Sequence, residues 1–219
     1  MRFSKVIAAS AFLLGLLNAP AFAQQDAGTA TVYTIDGDET ILRVYVGRAG
    51  VLARMGHNHV VHTQSINGQV MLAANAVDFT ASFSFPVNSF IVDDQSERDR
   101  AGDGFESQPG ESAITGTREN MLGENVLNAQ SYPEIAIDVS TVSAEQEQWL
   151  LNVAINIQGN TFTQEIPATV SVSDSRISVV SRFSLDHEDL GLSPFSALGG
   201  SLRVAETLDF ELQLSATAQ

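Results

Sequence analysis

Residues 77–87 read VDFTASFSFPV, and apolar and polar positions alternate one for one. Val77, Phe79, Ala81, Phe83, Phe85 and Val87 occupy the odd positions, with Asp78, Thr80, Ser82 and Ser84 between them. Successive side chains of an extended chain point to opposite faces, so a period of two predicts a strand with one apolar and one polar face. The pattern returns at Ile135, Ile137 and Val139, then at Trp149, Leu151, Val153, Ile155 and Ile157. Ile177, Val179, Phe183 and Leu185 share a face, as do Leu208, Phe210, Leu212 and Leu214 near the C-terminus. Further strands are expected around 33–36, 41–46, 66–73 and 164–173.

Many strands, each with one apolar face and separated by Gly, Asn, Asp and Ser clusters, must close into a barrel or stack as a sandwich. Alternation alone leaves both open. One region breaks the pattern: residues 93–130 are rich in charge and too long for a hairpin loop. Loops beyond about 12–15 residues usually carry function, local structure or disorder. Within this one, Glu111–Leu122 suits a helix with Ile114, Met121 and Leu122 as its apolar contacts.

The N-terminus changes the picture of location. Arg2 and Lys5 precede an apolar run over 6–17 and the small-residue site Ala21-Phe22-Ala23. This reads as a secretory signal peptide over 1–23, cleaved after Ala23. The run falls short of the roughly 20 apolar residues that span a bilayer, and no later stretch approaches that length. A periplasmic, soluble protein without a transmembrane segment is expected, with a flexible leader over 24–32 and a single domain over 33–216.

Losing Arg2 and Lys5 takes the net charge from −15 to −17 and leaves arginine as the sole cation type. Such a surface repels phosphate backbones and anionic headgroups, which argues against nucleic acid and against purely electrostatic membrane docking. There is no cysteine, which excludes thiolate metal sites, iron–sulfur clusters and thiol nucleophiles. A chain of roughly 200 residues buries about 70% of its unfolded surface and is stable without disulfides.

Candidate chemistry concentrates at 55–62, MGHNHVVH, which holds three of the four histidines. On a strand His57 and His59 converge on one face while His62 points to the other, where it is expected to be exposed. Two imidazoles make half a metal site; His187, His62, Asp93, Asp94, Asp186 and Glu188 are the candidates to complete it. The other uses for His57 and His59 are structural hydrogen bonds at a rim, contact with a ligand, or acid–base catalysis. Arg98, Arg100 and Arg118 suit a phosphate or carboxylate headgroup, or, for Arg98 and Arg100, pairing with the acids of their own loop. Arg118 also suits a structural anchor. No G-x-S-x-G elbow is present, and the Asp93-Asp94 pair reads as solvated surface, so catalysis is not expected.

Four features in order resemble the YceI-like family of exported lipid-binding proteins. They are Tyr33-Thr34-Ile35-Asp36; Arg118-x-x-Met121-Leu122 leading through Val126-Leu127 to Tyr132-Pro133-Glu134-Ile135; VAINIQGNTFTQEIP at 153–167; and Asp189-Leu190-Gly191-Leu192. The resemblance spans 33–216. It implies an all-β fold, an antiparallel lipocalin-like β-barrel of about eight strands with a helix-containing long loop, closed over an elongated apolar cavity for an isoprenoid or similar chain. The GHNH element, and Leu190 where the family's element carries Phe, mark a divergent branch.

The expected function is therefore a non-enzymatic periplasmic protein that carries an isoprenoid or other long-chain lipid and needs no cofactor. Its tail would lie among Phe79, Phe83, Phe85, Ile155, Ile157 and Phe210, and its head near His57, His59 and Arg118. The alternative is a protein binding a divalent metal or haem through His57, His59 and His187. The oligomeric state stays open, a homodimer included.

Overall fold

The computed structural model describes residues 30–75 and 77–219. The signal peptide expected over 1–23 and most of the expected leader lie outside the described residues. The strands are β1 (Thr31–Ile35), β2 (Ile41–Ala49), β3 (His59–Thr63), β4 (Asn67–Leu72), β5 (Phe79–Pro86) and β6 (Ile91–Val92). Two helices follow, α1 (Gln95–Ala101) and α2 (Glu111–Leu122). The chain then returns to sheet with β7 (Glu134–Glu145), β8 (Gln148–Ile157), β9 (Asn160–Val172), β10 (Arg176–Asp186), β11 (Ser196–Ala197) and β12 (Leu202–Ala218).

The sheet closes on itself. Neighbours run β1-β4-β5-β7-β8-β9-β10-β12, and β12 pairs back onto β1 through Tyr33↔Ala218 and Ile35↔Ala216, making an eight-stranded antiparallel ring. This decides between barrel and sandwich. β2, β3 and β6 extend the sheet from β12 beside β1. The 17-residue β12 thus has β10 along one side and β2 and β1 along the other. A bulge between Val204 and Leu208 bends it where it starts.

Local chemistry sets the turns. In the β8–β9 hairpin Ile157 pairs with Asn160, so Gln158 and Gly159 are the whole loop, and both have positive φ (51° and 73°). That is the backbone of a type I′ turn, whose twist matches the flanking strands. α1 is capped by Asp94, whose carboxylate accepts from the Ser96 amide. α2 has the expected bounds and packs Ile114, Met121 and Leu122 against the core. β1 takes in Thr31 and Val32 from the expected leader, and Val77 falls short of β5, where it is exposed.

Phe79, Ala81, Phe83 and Phe85 of β5 all point inward and are buried, as are Ile135, Ile137 and Val139 of β7. Inward rows of this kind form the core. At one end, where β5 and β8 begin, Phe79 and Trp149 meet edge to face with centroids 5.7 Å apart. At the other end β2 and β10 finish and β3 and β12 begin. The outward row is not polar throughout. α1 packs over β3, and beneath and beside it Arg43, His62, Asp93, Arg98 and Glu211 are buried. His62, expected to be exposed, is only 6% so; its cross-strand neighbours are Arg43 and Ile91, and Nδ1 finds no hydrogen-bond partner.

A candidate ligand cavity and its basic rim

Against the inner face of the barrel, where β2 and β3 continue the wall and α2 closes it, lies a cavity of about 450 Å³, within the range of roughly 300–1,000 Å³ typical of small-molecule sites. It exists because an eight-stranded barrel is just wide enough for side chains to fill or for one ligand to occupy. Here many inward positions are small or medium, among them Val44, Val61, Ala81, Val153, Val179 and Ser181. Inward residues that stay partly exposed mark the unfilled space: Leu42, Val46, Ile155, Phe183, Phe210 and Leu212. Phe183 and Phe210 stack face to face across β10 and β12, 4° from parallel with centroids 5.0 Å apart.

Of the sequence-predicted ligand residues, Phe79, Phe83, Phe85, Ile155, Ile157 and Phe210 line this cavity, together with His57 and His59. His187 lines it as well. Arg118 is not brought to it; its guanidinium donates to the Asn88 carbonyl at 2.7 Å and the Phe90 carbonyl at 3.3 Å, anchoring α2 to the segment after β5. α2 contributes Ala113, Thr117, Asn120 and Met121 to the wall.

The rim is organised by a buried ion pair. Arg98 and Asp93 contact each other at 2.5 Å, and neither side chain has any exposure. Asp93 also accepts from the Val60 amide at 3.0 Å and from His59 Nδ1 at 2.6 Å, so it fixes the first residues of β3. Its backbone has φ of 56°, the conformation that turns the chain from β6 into α1. Arg98 meanwhile donates to the carbonyls of Asn58, Phe105 and Ser107 and so ties the loop after α1 to the rim. Burial of the Asp93 carboxylate works to raise its pKa. The His59 hydrogen bond and charge, the Val60 amide and Arg98 outweigh it and hold the pKa below the ordinary aspartate value.

His57 contacts Ser107 Oγ at 3.3 Å, and its ring lies 6.4 Å from that of His59, centroid to centroid. His187 Nδ1 donates to the Glu206 carbonyl at 2.7 Å. Among the described residues no group of three or more His, Asp or Glu side chains is arranged to hold a metal ion.

A second ionic cluster braces the outer wall. Glu211 of β12 accepts from Arg100 at 2.5 Å, from Arg182 at 2.9 Å and from Arg43 at 3.3 Å, and Arg43 also donates to Glu97 of α1. Desolvation raises the Glu211 pKa, but Arg182 and Arg100 bring the net shift below the ordinary glutamate value. Arg98 thus pairs within its own segment, as one sequence reading expects, while Arg100 reaches a strand 111 residues away.

Two charged cavity residues escaped the sequence reading. Arg48 continues the inward row Leu42, Val44, Val46 at the end of β2, opposite Val204, while Arg203 borders the cavity mouth one register position away, opposite Ala49, and both arginines are exposed. The alternation in ILRVYVGR was a sufficient signal for the first.

No protein-family model matches the chain, and no curated protein does either. Solved structures do. BcnA of Burkholderia cenocepacia superposes with a TM-score of 0.60 at 12% identity, over 83% of this chain and 98% of that one. The Campylobacter jejuni YceI protein superposes with a TM-score of 0.52 at 10% identity, over 73% of this chain and 84% of that one. At these identities the likeness is one of fold: the chain has the YceI-type barrel.

Proposed function

We propose that this YceI-type barrel is a periplasmic, non-enzymatic carrier that sequesters an isoprenoid-like lipid or another amphiphile with a long apolar tail. The observation that carries the reading is the closed ring around an apolar cavity of about 450 Å³ with polar groups at one end. Each buried CH₂ contributes about 0.8 kcal/mol, so tail burial drives uptake and the rim selects the head. Export rests on the signal-peptide pattern of residues 1–23. Among the described residues no helix is long and apolar enough to cross a membrane, which accords with a carrier.

The test is native mass spectrometry of untagged protein purified from its own periplasm, then denaturing extraction and elemental analysis. A bound mass released as a hydrophobic small molecule supports the carrier. Stoichiometric metal without lipid, together with delipidated protein that takes up no isoprenoid, quinone or fatty acyl probe, overturns it.

A further inference from the structure

The charged side chains of the cavity wall are all of one sign. The whole chain carries 26 acidic and 11 basic residues. Yet the described residues lining the cavity include Arg48, Arg203, His57, His59 and His187 and no Asp or Glu. The acid that organises the rim is used elsewhere: the Asp93 carboxylate is saturated by Arg98, His59 and the Val60 amide.

The remaining arginines sharpen the contrast. Arg43, Arg98, Arg100, Arg176 and Arg182 each pair with a carboxylate. Among the described residues Arg48, Arg54, Arg118 and Arg203 form no ion pair, and of these four only Arg48 and Arg203 line the cavity. Arg48 donates to the Gly56 carbonyl, which leaves most of its five N–H donors unused. A guanidinium placed at the end of an apolar wall, with no anion supplied by the protein, is complementary to an anion on a ligand.

Building on the carrier reading, we propose that Arg48 and Arg203, with His57 and His59, form a binding site for the anionic head, carboxylate or phosphate, of the carried amphiphile. The low-dielectric wall behind the site strengthens the contact relative to one in water. A cationic head is excluded by the same charges, and a neutral head leaves the two guanidinium groups without a counter-charge.

The experiment uses delipidated mature protein and three probes of equal tail length, dodecanoate, dodecyl phosphate and dodecanol, with inorganic phosphate alone as a fourth. Calorimetry is expected to give both anionic amphiphiles about tenfold or greater advantage over the alcohol, the scale of a charged hydrogen bond. Arg48→Gln with Arg203→Gln should abolish that advantage, and Arg48→Lys with native Arg203 should keep part of it. A circular-dichroism spectrum and a thermal melt like those of the native protein check that the double variant is folded. Equal binding of alcohol and acid, or an advantage that survives in the double variant, overturns the head-group site while the carrier reading stands. Inorganic phosphate binding as tightly as dodecyl phosphate would reveal a site for free anions and also overturn it. Failure of every amphiphile would sink the carrier reading itself, and this site with it.

Discussion

Asp93 and Arg98 meet at 2.5 Å with no exposure of either side chain, and through them α1, the loop behind it and the start of β3 are held as one unit. Removing one partner of a buried pair leaves an uncompensated charge, which costs about 3–5 kcal/mol. Arg98→Ala is therefore expected to lower stability by that order in urea unfolding, whereas Arg118→Ala, which loses only carbonyl contacts, should cost roughly 1–2 kcal/mol. Equal losses in the two variants would refute the ranking.

Acid should expose both this pair and the outer-wall cluster around Glu211. Asp93 and Glu211 both have folded-state pKa values below their ordinary ones. As pH falls, the unfolded chain takes up protons first, near pH 4. The stability these groups contribute is fully present above that pH and is lost as pH drops toward and through the lowered folded values. Urea midpoints followed from neutral pH downward should stay level and then fall below about pH 4. The fall should be shallower in Glu211→Gln.

Cavity volume is the next handle. Leu212 lies opposite Ser181 on β10 and Leu42 on β2, and both it and Leu42 retain exposure inside the barrel. Leu212→Trp should fill that space, weakening a dodecyl or isoprenoid probe by about tenfold or more, since one or two displaced CH₂ groups already cost about 0.8–1.6 kcal/mol. Thermal stability should hold, because the added ring enters a void rather than a packed core. Unchanged probe affinity would place the ligand elsewhere.

The turn of the β8–β9 hairpin offers a control, because Gln158 and Gly159 do not line the cavity. Gly159 has φ of 73° and faces the Tyr132 ring. A β-branched residue there pays the left-handed penalty, so Gly159→Val should cost about 1–2 kcal/mol. Probe binding measured in folded protein should not change.

Much of the barrel could be read from periodicity, because each strand's inward row is a local pattern: Phe79 to Phe85 and Ile135 to Val139 alternate without a fault. α2 was legible in its residues and its three contacts. The outer wall was not. His62 occupies a position that alternation assigns to solvent, yet α1 and β6 cover that side, and nothing local announces a covering helix. The partnership of Arg100 with Glu211 spans 111 residues and exists only once the barrel has closed. Arg118 sits in a recognisable segment, but which way a helix turns its long side chains depends on where the helix docks, and here it docks Arg118 on carbonyls rather than in the cavity.

β12 bears on how the molecule comes to exist. It is the last strand in chain order, and it alone joins β10 to both β2 and β1. Until it is in place the ribbon β1-β4-β5-β7-β8-β9-β10 has two raw edges, β2, β3 and β6 are not joined to it, and the cavity has no wall on one side. Closing that ribbon requires pairing across almost the entire described sequence, the slowest kind of contact to form. A ligand-competent cavity therefore exists only once β12 has paired on both sides, and a partner that captured the open ribbon by its edges would delay that pairing without touching the binding site.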